Sequence, residues 1–244
     1  MIDTILFDLD GTLLPMDQEE FVKYYFTALS KKMAKFGFDD PKALSAAVYK
    51  GTAAMVSNDG DKLNRARFWE TFSAVMGDWV LPLEPEFDSF YQNEFNAARE
   101  GTWQSEHAVS SVHKLKEKGY RLILATNPIF PRVATLNRIS WAGLSPQDFS
   151  LITTYENSRR CKPNPDYFRD ILEQAGAKPQ ACLMVGNDVC EDLCAQSVGI
   201  SSCLITDCML NADGREILCS WQGTFAQFEA EVVDRLPVIT AQVK

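Results

Sequence analysis

The sequence predicts an α/β fold, a Rossmann-like parallel sheet with helices on both faces, and an all-helical segment inserted after the first strand. Two observations support this prediction. From residue 106 onward, short apolar runs of strand length alternate with helical patterns, which is typical of a covered parallel sheet. Between the first two strands, in contrast, helical patterns follow one another without a convincing strand. We therefore expect an α/β core of residues 1–15 and 101–244 and a helical cap of residues 16–100.

Five apolar runs predict the strands of the sheet. The first, residues 4–7, is bounded by acids and ends at Asp8. The other predicted strands are residues 120–125, 151–153, 181–185 and 200–205. The predicted helices of the core are residues 106–118, 131–142, 165–175 and 188–198. Towards the end of the chain, an edge strand is predicted at 216–221 and a helix at 224–235, with Thr224 at its start.

The inserted segment is predicted to contain four helices. Asp17, followed by Glu20, resembles a capping box and opens the first of them. The others are predicted at residues 41–56, 61–76 and 84–98. Aromatic side chains recur along these helices at helical spacing, as Phe21 and Tyr25 do. We interpret these stripes as the core of a small helical bundle rather than as a cofactor-binding site.

The composition argues against several classes of protein. Lys and Arg number 24 against 33 Asp and Glu, a net charge of −9, so no nucleic-acid partner is expected. The sequence has no run of about 18 apolar residues, so no membrane-spanning helix is expected. The first residues carry acids within their apolar stretch, which is not the pattern of a signal peptide. Seven cysteines within apolar runs favour reduced thiols, and we expect a cytoplasmic protein, with a monomer favoured over an oligomer.

Polar residues follow three of the predicted strands. Residues 8–12 follow the first strand, Thr126 and Asn127 follow the second, and residues 186–188 follow the fourth, with Asp192 one turn later. Ligands of open α/β sheets bind beyond the carboxyl ends of the strands, where these residues become neighbours. The sequence therefore predicts a functional site at this edge of the sheet.

Asp8 and Asp10 are the most informative pair. Two residues apart in an extended segment, they point to the same side. Adjacent carboxylates repel each other, and a cation or a shared proton is needed to hold them together. Gly11 allows the chain to turn with a positive φ, and Thr12 places a hydroxyl near the same point. An ordinary Asp-Gly turn is the alternative, but a chance match to D-x-D-G-T is on the order of one in a thousand in this length.

Four short motifs, taken in order, resemble the four signatures of the haloacid dehalogenase superfamily of hydrolases. Residues 8–13, Asp-Leu-Asp-Gly-Thr-Leu, resemble the first signature, and Thr126 within Leu-Ala-Thr-Asn resembles the second. Lys162 within Cys-Lys-Pro-Asn-Pro-Asp resembles the third, and residues 186–188 with Asp192 resemble the fourth. The helical insert also lies where this superfamily often has a mobile cap.

The resemblance implies a role for each matching residue. Asp8 is implied as the nucleophile that attacks phosphorus and forms an aspartyl-phosphate, and Asp10 as the general acid and later the base. Lys162 is implied as a fixed cation that holds Asp8 and the phosphoryl group. Thr126 is implied to hydrogen-bond a phosphoryl oxygen, with the backbone N–H of Asn127. The residues expected to contact the substrate phosphate are Gly11, Thr12, Thr126, Asn127 and Lys162.

Mg²⁺ is the cofactor that the resemblance implies. Its ligands are expected to be Asp8, Asp188 and the backbone carbonyl of Asp10, a donor set of the kind that Mg²⁺ prefers. Asp192 is expected to face the same way, where it orients Lys162 or a metal-bound water. Many relatives read Gly-Asp at the fourth signature, whereas Asn187 intervenes here. The four-residue spacing to Asp192 nevertheless assigns the metal to Asp188.

Asp10 distinguishes between branches of the superfamily. An acid at this position goes with phosphate ester hydrolysis or phosphosugar mutation, and the dehalogenase and phosphonate-cleaving branches lack it. We therefore expect a Mg²⁺-dependent phosphatase that acts on a small phosphorylated metabolite. The alternatives are a catalytically idle relative that binds a phosphometabolite or a protein, a phosphosugar mutase and a haloacid dehalogenase.

Several further polar residues were weighed as parts of the site. His107 and His113 match no signature, and we expect them to lie on a helix or hinge without a catalytic role. Arg159 and Arg160 precede Lys162 and are expected to be solvated, with contact between one of them and the substrate as the alternative. The candidates for contact between the insert and the substrate are Lys62, Asn64, Arg65 and Arg67.

Overall fold

A computed structural model of the chain describes residues 1–239, and a parallel β-sheet lies at its centre. Its strands are β1 (Thr4–Phe7), β2 (Arg121–Leu124), β3 (Leu151–Ile152), β4 (Cys182–Gly186), β5 (Ser201–Ile205) and β6 (Trp221–Gly223). Their order across the sheet is β3-β2-β1-β4-β5-β6, and every neighbouring pair is parallel. The five predicted strands of the core are all present, so the predicted α/β class is confirmed.

The first strand of the sequence is a central strand of the sheet. Leu6 of β1 lies opposite Ile123 of β2 on one side and opposite Met184 of β4 on the other. The four residues of β1 are all buried, as expected for a strand covered on both faces. The carboxyl ends of β1, β2 and β4 therefore lie side by side, and the segments that follow them meet at one edge.

Helices cover both faces of the sheet. The α-helices of the described chain are α1 (Gln18–Met33), α2 (Pro41–Val56), α3 (Asn64–Met76), α4 (Glu84–Gln92), α5 (Glu106–Glu117), α6 (Arg132–Trp141), α7 (Pro165–Ala175) and α8 (Phe225–Phe228). On one face, Ile5 and Phe7 of β1 join a core that contains residues of α5, α6 and α8. On the other face, Leu6 packs with Phe168 and Ile171 of α7. Alternate residues of β1 thus serve opposite faces.

The inserted segment forms a bundle of α1 to α4, as its aromatic spacing predicts. Asp17 caps α1 by accepting hydrogen bonds from the backbone N–H groups of Glu19 and Glu20. Asp40 caps α2 in the same way, with Pro41 at the first helical position. The buried aromatic residues of the bundle include Phe72, Phe87, Phe90 and Phe95.

Two chain segments connect the bundle to the sheet, and they run beside each other. Met16 and Thr102 form an antiparallel bridge. The backbone N–H of Asp17 donates to the carbonyl of Gly101 at 2.9 Å, and that of Trp103 donates to the carbonyl of Pro15 at 3.0 Å. These paired segments fit the proposed boundary between a core and a cap of residues 16–100.

The predicted helix at 84–98 is interrupted near its middle. Helix α4 ends at Gln92, and a 3₁₀ helix spans Glu94–Gly101. The cause is Asn93, whose side-chain amide donates to the carbonyl of Ser89 at 2.8 Å. This local hydrogen bond competes with the regular helical ladder, and φ −121°, ψ −78° at Asn93 breaks the helix.

The predicted α-helix at 188–198 is wrong. A turn follows β4, and only a 3₁₀ helix at Leu193–Val198 is formed. The side chains of Asp188 and Asp192 accept hydrogen bonds from nearby backbone N–H groups, which an α-helix would use differently. The predicted edge strand at 216–221 also lies later, at β6, where Trp221 first pairs with Cys203.

The last helix begins as predicted and then widens. Thr224 caps α8, and a capping box with Gln227 fixes its first turn. The helix continues as a π-helix over Glu229–Val233 rather than as regular α-helix to residue 235. Among residues 1–239, no helix combines the length and apolar character needed to cross a bilayer. All seven cysteines are free thiols, as predicted.

Candidate active site

Asp8 and Lys162 form a buried ion pair at the carboxyl end of β1. Lys162 Nζ lies 2.8 Å from Oδ1 of Asp8 and 2.7 Å from Oδ1 of Asp192, and its side chain is only 1% exposed. Burial disfavours the charge on Lys162, but Asp192 and Asp8 outweigh this effect and raise its pKa well above the usual value. The lysine is therefore a permanent cation between two carboxylates.

Asp192 uses both of its carboxylate oxygens within the protein. Oδ1 accepts the hydrogen bond from Lys162, and Oδ2 accepts one from the backbone N–H of Asp188 at 2.9 Å. Gly186 makes this possible, because a Cβ there would lie 2.1 Å from Asp192 Oδ2. Burial raises the pKa of Asp192, and Lys162 opposes that effect. Of the two predicted positions for Asp192, the structure places it on Lys162.

Asp10 has a cationic partner of its own, Arg138 of α6. Arg138 Nη1 donates a hydrogen bond to Asp10 Oδ2, and the arginine side chain is fully buried. The guanidinium carbon of Arg138 also lies 4.3 Å from the centre of the Phe130 ring, a cation–π contact. Burial raises the pKa of Asp10, while Arg138 acts in the opposite direction. Oδ1 of Asp10 is buried and has no hydrogen-bond partner among the described residues.

Gly11 and Thr12 support the nucleophile segment. Gly11 adopts φ +82°, and a Cβ there would lie 2.3 Å from the side-chain nitrogen of Asn187, so glycine is needed on both counts. The Thr12 hydroxyl lies 3.1 Å from Oδ2 of Asp8 and 2.9 Å from Oδ1 of Asn187. Gly11 and Thr12 do not line the cavity that lies at the carboxyl ends of the strands, and their contact with a substrate phosphate stays a prediction.

Thr126 and Asn127 follow β2 beside the nucleophile. Asn127 donates from its side-chain nitrogen to Glu191 Oε2 at 2.9 Å and to the Lys162 carbonyl at 3.3 Å. The carbonyl of Thr126 accepts a hydrogen bond from the hydroxyl of Tyr167 at 2.9 Å. These contacts hold the segment after β2 against the loops that carry the lysine and the fourth signature.

One cavity of about 180 Å³ joins most of the predicted site residues. We call it the polar cavity. Its walls contain the acids Asp8, Asp10, Asp188 and Asp192 together with Thr126, Asn127 and Asn187. Lys162 lies directly beneath it, paired with Asp8 and Asp192. Residues from positions 8 to 192 of the sequence thus meet at the edge of the sheet that the strand ends predicted.

The donor chemistry of the polar cavity fits Mg²⁺. Within residues 1–239, no three His, Cys, Asp or Glu side chains converge into a ready-made metal cage. Mg²⁺ does not need one, because it usually takes one or two carboxylates and keeps waters or substrate phosphate oxygens. Asp8 and Asp188 supply two carboxylates to the lining of this cavity. Five acidic residues around one small space, Glu191 included, also call for more positive charge than Lys162 and Arg138 provide.

The polar residues of the insert that were expected to contact the substrate point elsewhere. The side chain of Asn64 is buried and donates to the carbonyls of Pro128 and Arg160. Arg65 pairs with Glu84. Lys62 and Arg67 are likewise engaged in ion pairs within the insert. These four residues do not line the polar cavity, because each finds a nearer partner.

Two ionisable side chains of the site were not expected from the sequence. Arg138 sits on the buried face of α6, four residues after Ala134, and no motif marks it. Glu191 lines the polar cavity next to Asp192, and burial raises its pKa to about 7. The one sequence signal for Arg138 is a charged residue on an otherwise apolar helical face. The histidines lie outside the cavity as expected, His107 beside Glu229.

Comparisons with known proteins agree with this fold. Pyrophosphatase PpaX from Bacillus cereus (strain AH820) is 22% identical over 239 residues, which is 98% of this chain and 97% of that protein. The structure of 2-haloacid dehalogenase from Pseudomonas syringae pv. Tomato DC3000 matches with a TM-score of 0.62 and 17% identity, over 94% of this chain and 97% of that one. YfnB from Bacillus subtilis, a HAD-hydrolase structure bound to magnesium, matches with a TM-score of 0.55 and 20% identity, over 91% and 93%.

The solved structures resemble this chain at low sequence identity, so they bear on the fold alone. A sequence model of a protein family gives the stronger assignment. It describes the haloacid dehalogenase-like hydrolases and matches residues 2–193, which include all four predicted signatures. The chain belongs to the haloacid dehalogenase-like hydrolase family.

Proposed function

We propose that the protein is a Mg²⁺-dependent phosphatase that hydrolyses a small phosphorylated metabolite through an aspartyl-phosphate on Asp8. The observation that carries the proposal is the different partnering of two neighbouring carboxylates. Asp8 is held by the buried cation of Lys162, which can stabilise negative charge where a phosphoryl group meets this carboxylate. Asp10 is held by Arg138 through Oδ2 alone, its Oδ1 has no hydrogen-bond partner among the described residues, and burial raises its pKa, which favours a protonated acid. Cytoplasmic location and a monomeric state stay predictions of the sequence.

The first step transfers the phosphoryl group to Asp8. A carboxylate oxygen of Asp8 attacks phosphorus, a new O–P bond forms, and the P–O bond to the leaving group breaks. Asp10 gives its proton to the departing oxygen, and its Oδ1, which has no protein partner, is the free atom for that contact. Lys162 stabilises the negative charge that develops beside Asp8.

The second step releases phosphate. Asp10, now a carboxylate, takes a proton from a water molecule whose oxygen attacks phosphorus, and the bond between phosphorus and Asp8 breaks. Asp8 returns to its carboxylate form beside Lys162. Mg²⁺, when bound by Asp8, Asp188 and the backbone carbonyl of Asp10, would neutralise charge on the transferring phosphoryl group. Asp192 keeps Lys162 in place during both steps.

Phosphate release from a generic phosphomonoester in the presence of Mg²⁺ tests the proposal. We expect turnover that a chelator abolishes and added Mg²⁺ restores. Asp8→Asn is expected to lower kcat by at least about 1,000-fold, because an amide is a poor nucleophile. Asp39→Asn, at an exposed acid outside the cavity, is the matched control and is expected to keep full activity. Full turnover by folded Asp8→Asn protein would refute the nucleophile assignment.

Turnover in oxygen-18 water distinguishes phosphate ester hydrolysis from dehalogenation, since both reactions would use Asp8 as the nucleophile. If water attacks phosphorus, the label enters the released phosphate and Asp8 stays unlabelled. If Asp8 instead displaces halide from a 2-haloacid, an alkyl ester forms on Asp8. Water then attacks the carboxyl carbon of that ester, and the label enters Asp8. We expect labelled phosphate and no halide release from a 2-haloacid. An inert protein across a broad phosphomonoester panel would favour the catalytically idle alternative.

A further inference from the structure

A second cavity, of about 260 Å³, adjoins the polar cavity. We call it the aromatic cavity. Asp10, Gln18 and Ile129 line both cavities, so the two spaces meet at Asp10. Asp10 is the proposed donor of a proton to the leaving oxygen. A substrate whose phosphoryl group lies in the polar cavity must therefore extend its leaving group into the aromatic cavity.

Half of the residues that line the aromatic cavity are aromatic. They come from the insert and from the segment after β2, and they are the seven residues Phe21, Tyr25, Phe26, Tyr49, Phe68, Tyr91 and Phe130. Tyr25 and Tyr91 lie nearly parallel, at 21°, with ring centres 6.4 Å apart. Aromatic walls of this kind favour flat, apolar guests through stacked and edge-on contacts.

No cation faces this cavity. Asp10 is its one charged lining residue, and the lining contains no Lys or Arg among residues 1–239. Arg138 lies behind Phe130, where its guanidinium is fully buried against that ring and Asp10. A leaving group that carries phosphate or carboxylate charge would lose its hydration here without gaining a partner, and it would face Asp10.

The lining also contains uncharged polar groups, namely Gln18, Thr52 and the tyrosine hydroxyls. The hydroxyls of Tyr25 and Tyr91 lie 2.9 Å apart and share one hydrogen bond. The pair carries two hydroxyl protons and uses one between its members, so the second can donate to a guest atom. Burial raises the pKa of Tyr25 to about 12, so the hydroxyl stays neutral. The lining of the cavity thus offers hydroxyl donors but no positive charge.

We propose that the substrate is the phosphate monoester of an uncharged alcohol that carries an aromatic or similarly flat ring, bound in the aromatic cavity. The inference rests on the proposed phosphatase activity and specifies its substrate class. A cavity of about 150 Å³ holds a benzene molecule, so the larger volume here accommodates roughly one to two rings. Pyrophosphate and phosphorylated carboxylic acids are excluded as preferred substrates, because their leaving groups are anionic.

A comparison of matched alkyl phosphates tests the substrate class. Benzyl phosphate and ethyl phosphate both release primary alcohols, so the comparison does not mainly reflect the leaving ability of a phenol. We expect kcat/KM for benzyl phosphate to exceed that for ethyl phosphate by at least about tenfold, and that for pyrophosphate by more. Equal values for the two esters, or a preference for pyrophosphate, would overturn the inference while leaving the phosphatase proposal intact. Failure of every phosphomonoester would instead defeat the phosphatase proposal.

Tyr49 is the best position for a specificity variant, because it lines the cavity yet is 55% exposed. Tyr49→Ala is expected to lower the ratio of benzyl to ethyl kcat/KM by about three- to tenfold, and Tyr49→Phe to preserve it. The matched control is Trp79→Ala, an exposed aromatic residue of the insert outside the cavity, which should leave the ratio unchanged. A ratio that Tyr49→Ala leaves unchanged would contradict the placement of the ring.

Binding of the product alcohol gives a readout that needs neither metal nor turnover. Saturation-transfer NMR with benzyl alcohol and metal-free protein should show contact between the ring and the protein. Tyr49→Ala is expected to weaken the signal, and Trp79→Ala is expected to leave it. Absence of the signal in the wild-type protein, at concentrations where benzyl phosphate is turned over, would contradict an aromatic leaving-group site.

Discussion

Arg138 of α6 and Asp10, just beyond β1, form an ion pair, and the arginine side chain is fully buried. The hydrogen bond reaches Asp10 Oδ2 and leaves Oδ1 without a protein partner. One oxygen of the carboxyl group is thus held while the other is free to exchange a proton. Arg138 is therefore a positioning residue for the proposed general acid, since it reaches the reaction only through Asp10.

Replacement of Arg138 by Met is predicted to lower kcat by about 10- to 100-fold with a smaller change in KM, because Asp10 loses its fixed orientation. Steady-state kinetics with a phosphomonoester measures both constants. Arg169→Met, at an arginine that is 59% exposed, is the control and should change neither. A folded Arg138→Met protein with normal kcat would show that Asp10 does not need this partner.

The same pair predicts a coupling in stability. Loss of Arg138 alone leaves Asp10, whose side chain is 28% exposed, without its cation, and we expect a cost of about 1 to 3 kcal/mol, below the roughly 3 to 5 kcal/mol typical of a fully buried pair. The double variant Arg138→Met/Asp10→Asn is expected to be destabilised by less than the sum of the single variants. Urea unfolding of the four proteins measures this difference. Additive effects would indicate that the two side chains do not interact in solution.

Asp192→Asn is predicted to impair catalysis without direct contact with the substrate. The amide oxygen can still accept the hydrogen bond from the backbone N–H of Asp188. The variant lacks the negative charge that holds Lys162 beside Asp8. We expect kcat to fall by about 10- to 100-fold in a folded protein, as measured by steady-state turnover and thermal unfolding. Glu173→Gln, on the outer part of α7, is the control. Normal turnover in Asp192→Asn would assign the positioning of Lys162 to Asp8 alone.

Gly186→Ala tests the space beside Asp192 by steric means. The new methyl group would lie 2.1 Å from Asp192 Oδ2, so the carboxylate must leave its place. We expect loss of most activity and a decrease in the free energy of unfolding of about 2 to 4 kcal/mol. Gly176→Ala is a matched control, because nothing lies within 4 Å of its new Cβ and only its φ of +58° is unfavourable. That control should lose about 1 kcal/mol and keep its activity.

Glu229 predicts a dependence of stability on pH. Burial alone would raise its pKa, but hydrogen bonds from Ser110, His107 and Lys114 outweigh burial and lower the pKa to about 2, from an ordinary value of 4.5. The unfolded chain therefore takes up the proton first, and the stabilisation is present above about pH 4.5 and is lost as the pH falls towards 2.

Glu229→Gln measures this contribution. Its partners Lys114 and His107 are partly exposed, so solvent screening limits the expected loss at pH 6 to about 1 kcal/mol. The difference from the wild-type protein should shrink at pH 3, as determined by urea unfolding at both pH values. Glu216→Gln, at an exposed glutamate, is the control. A difference that grows at low pH would contradict the direction of the shift.

The sheet and the central residues of the site could be predicted because their signals are local. Short apolar runs mark buried strands, and Asp8, Lys162 and Asp188 stand just beyond strand ends or in nearby loops. The helix predicted at 188–198 was wrong for an equally local reason. Asp188 and Asp192 favour helix starts, but here their side chains bind backbone N–H groups and Lys162 instead.

The walls of the site depend on distant contacts, and the sequence does not specify those. The pairing of Arg138 with Asp10 cannot be predicted from the sequence, because the two residues lie 128 positions apart and only the packing of α6 brings them together. Lys62 and Arg65 looked like substrate contacts, yet they pair with Glu70 and Glu84. Tyr25 belongs to an aromatic stripe that serves the core of the bundle and the wall of a cavity at once. Periodicity alone does not separate those two uses.

The central position of β1 in the sheet affects the stage of translation at which the candidate site can form. Asp8 and Asp10 are synthesised well before the rest of the candidate site, but β4, one of the two strands that flank β1, ends only at Gly186. A nascent chain of residues 1–160 therefore carries two adjacent acids without their lysine, and a strand with one edge unpaired. The candidate site can therefore form only after Asp192 has been synthesised, when Lys162 can pair with both Asp8 and Asp192.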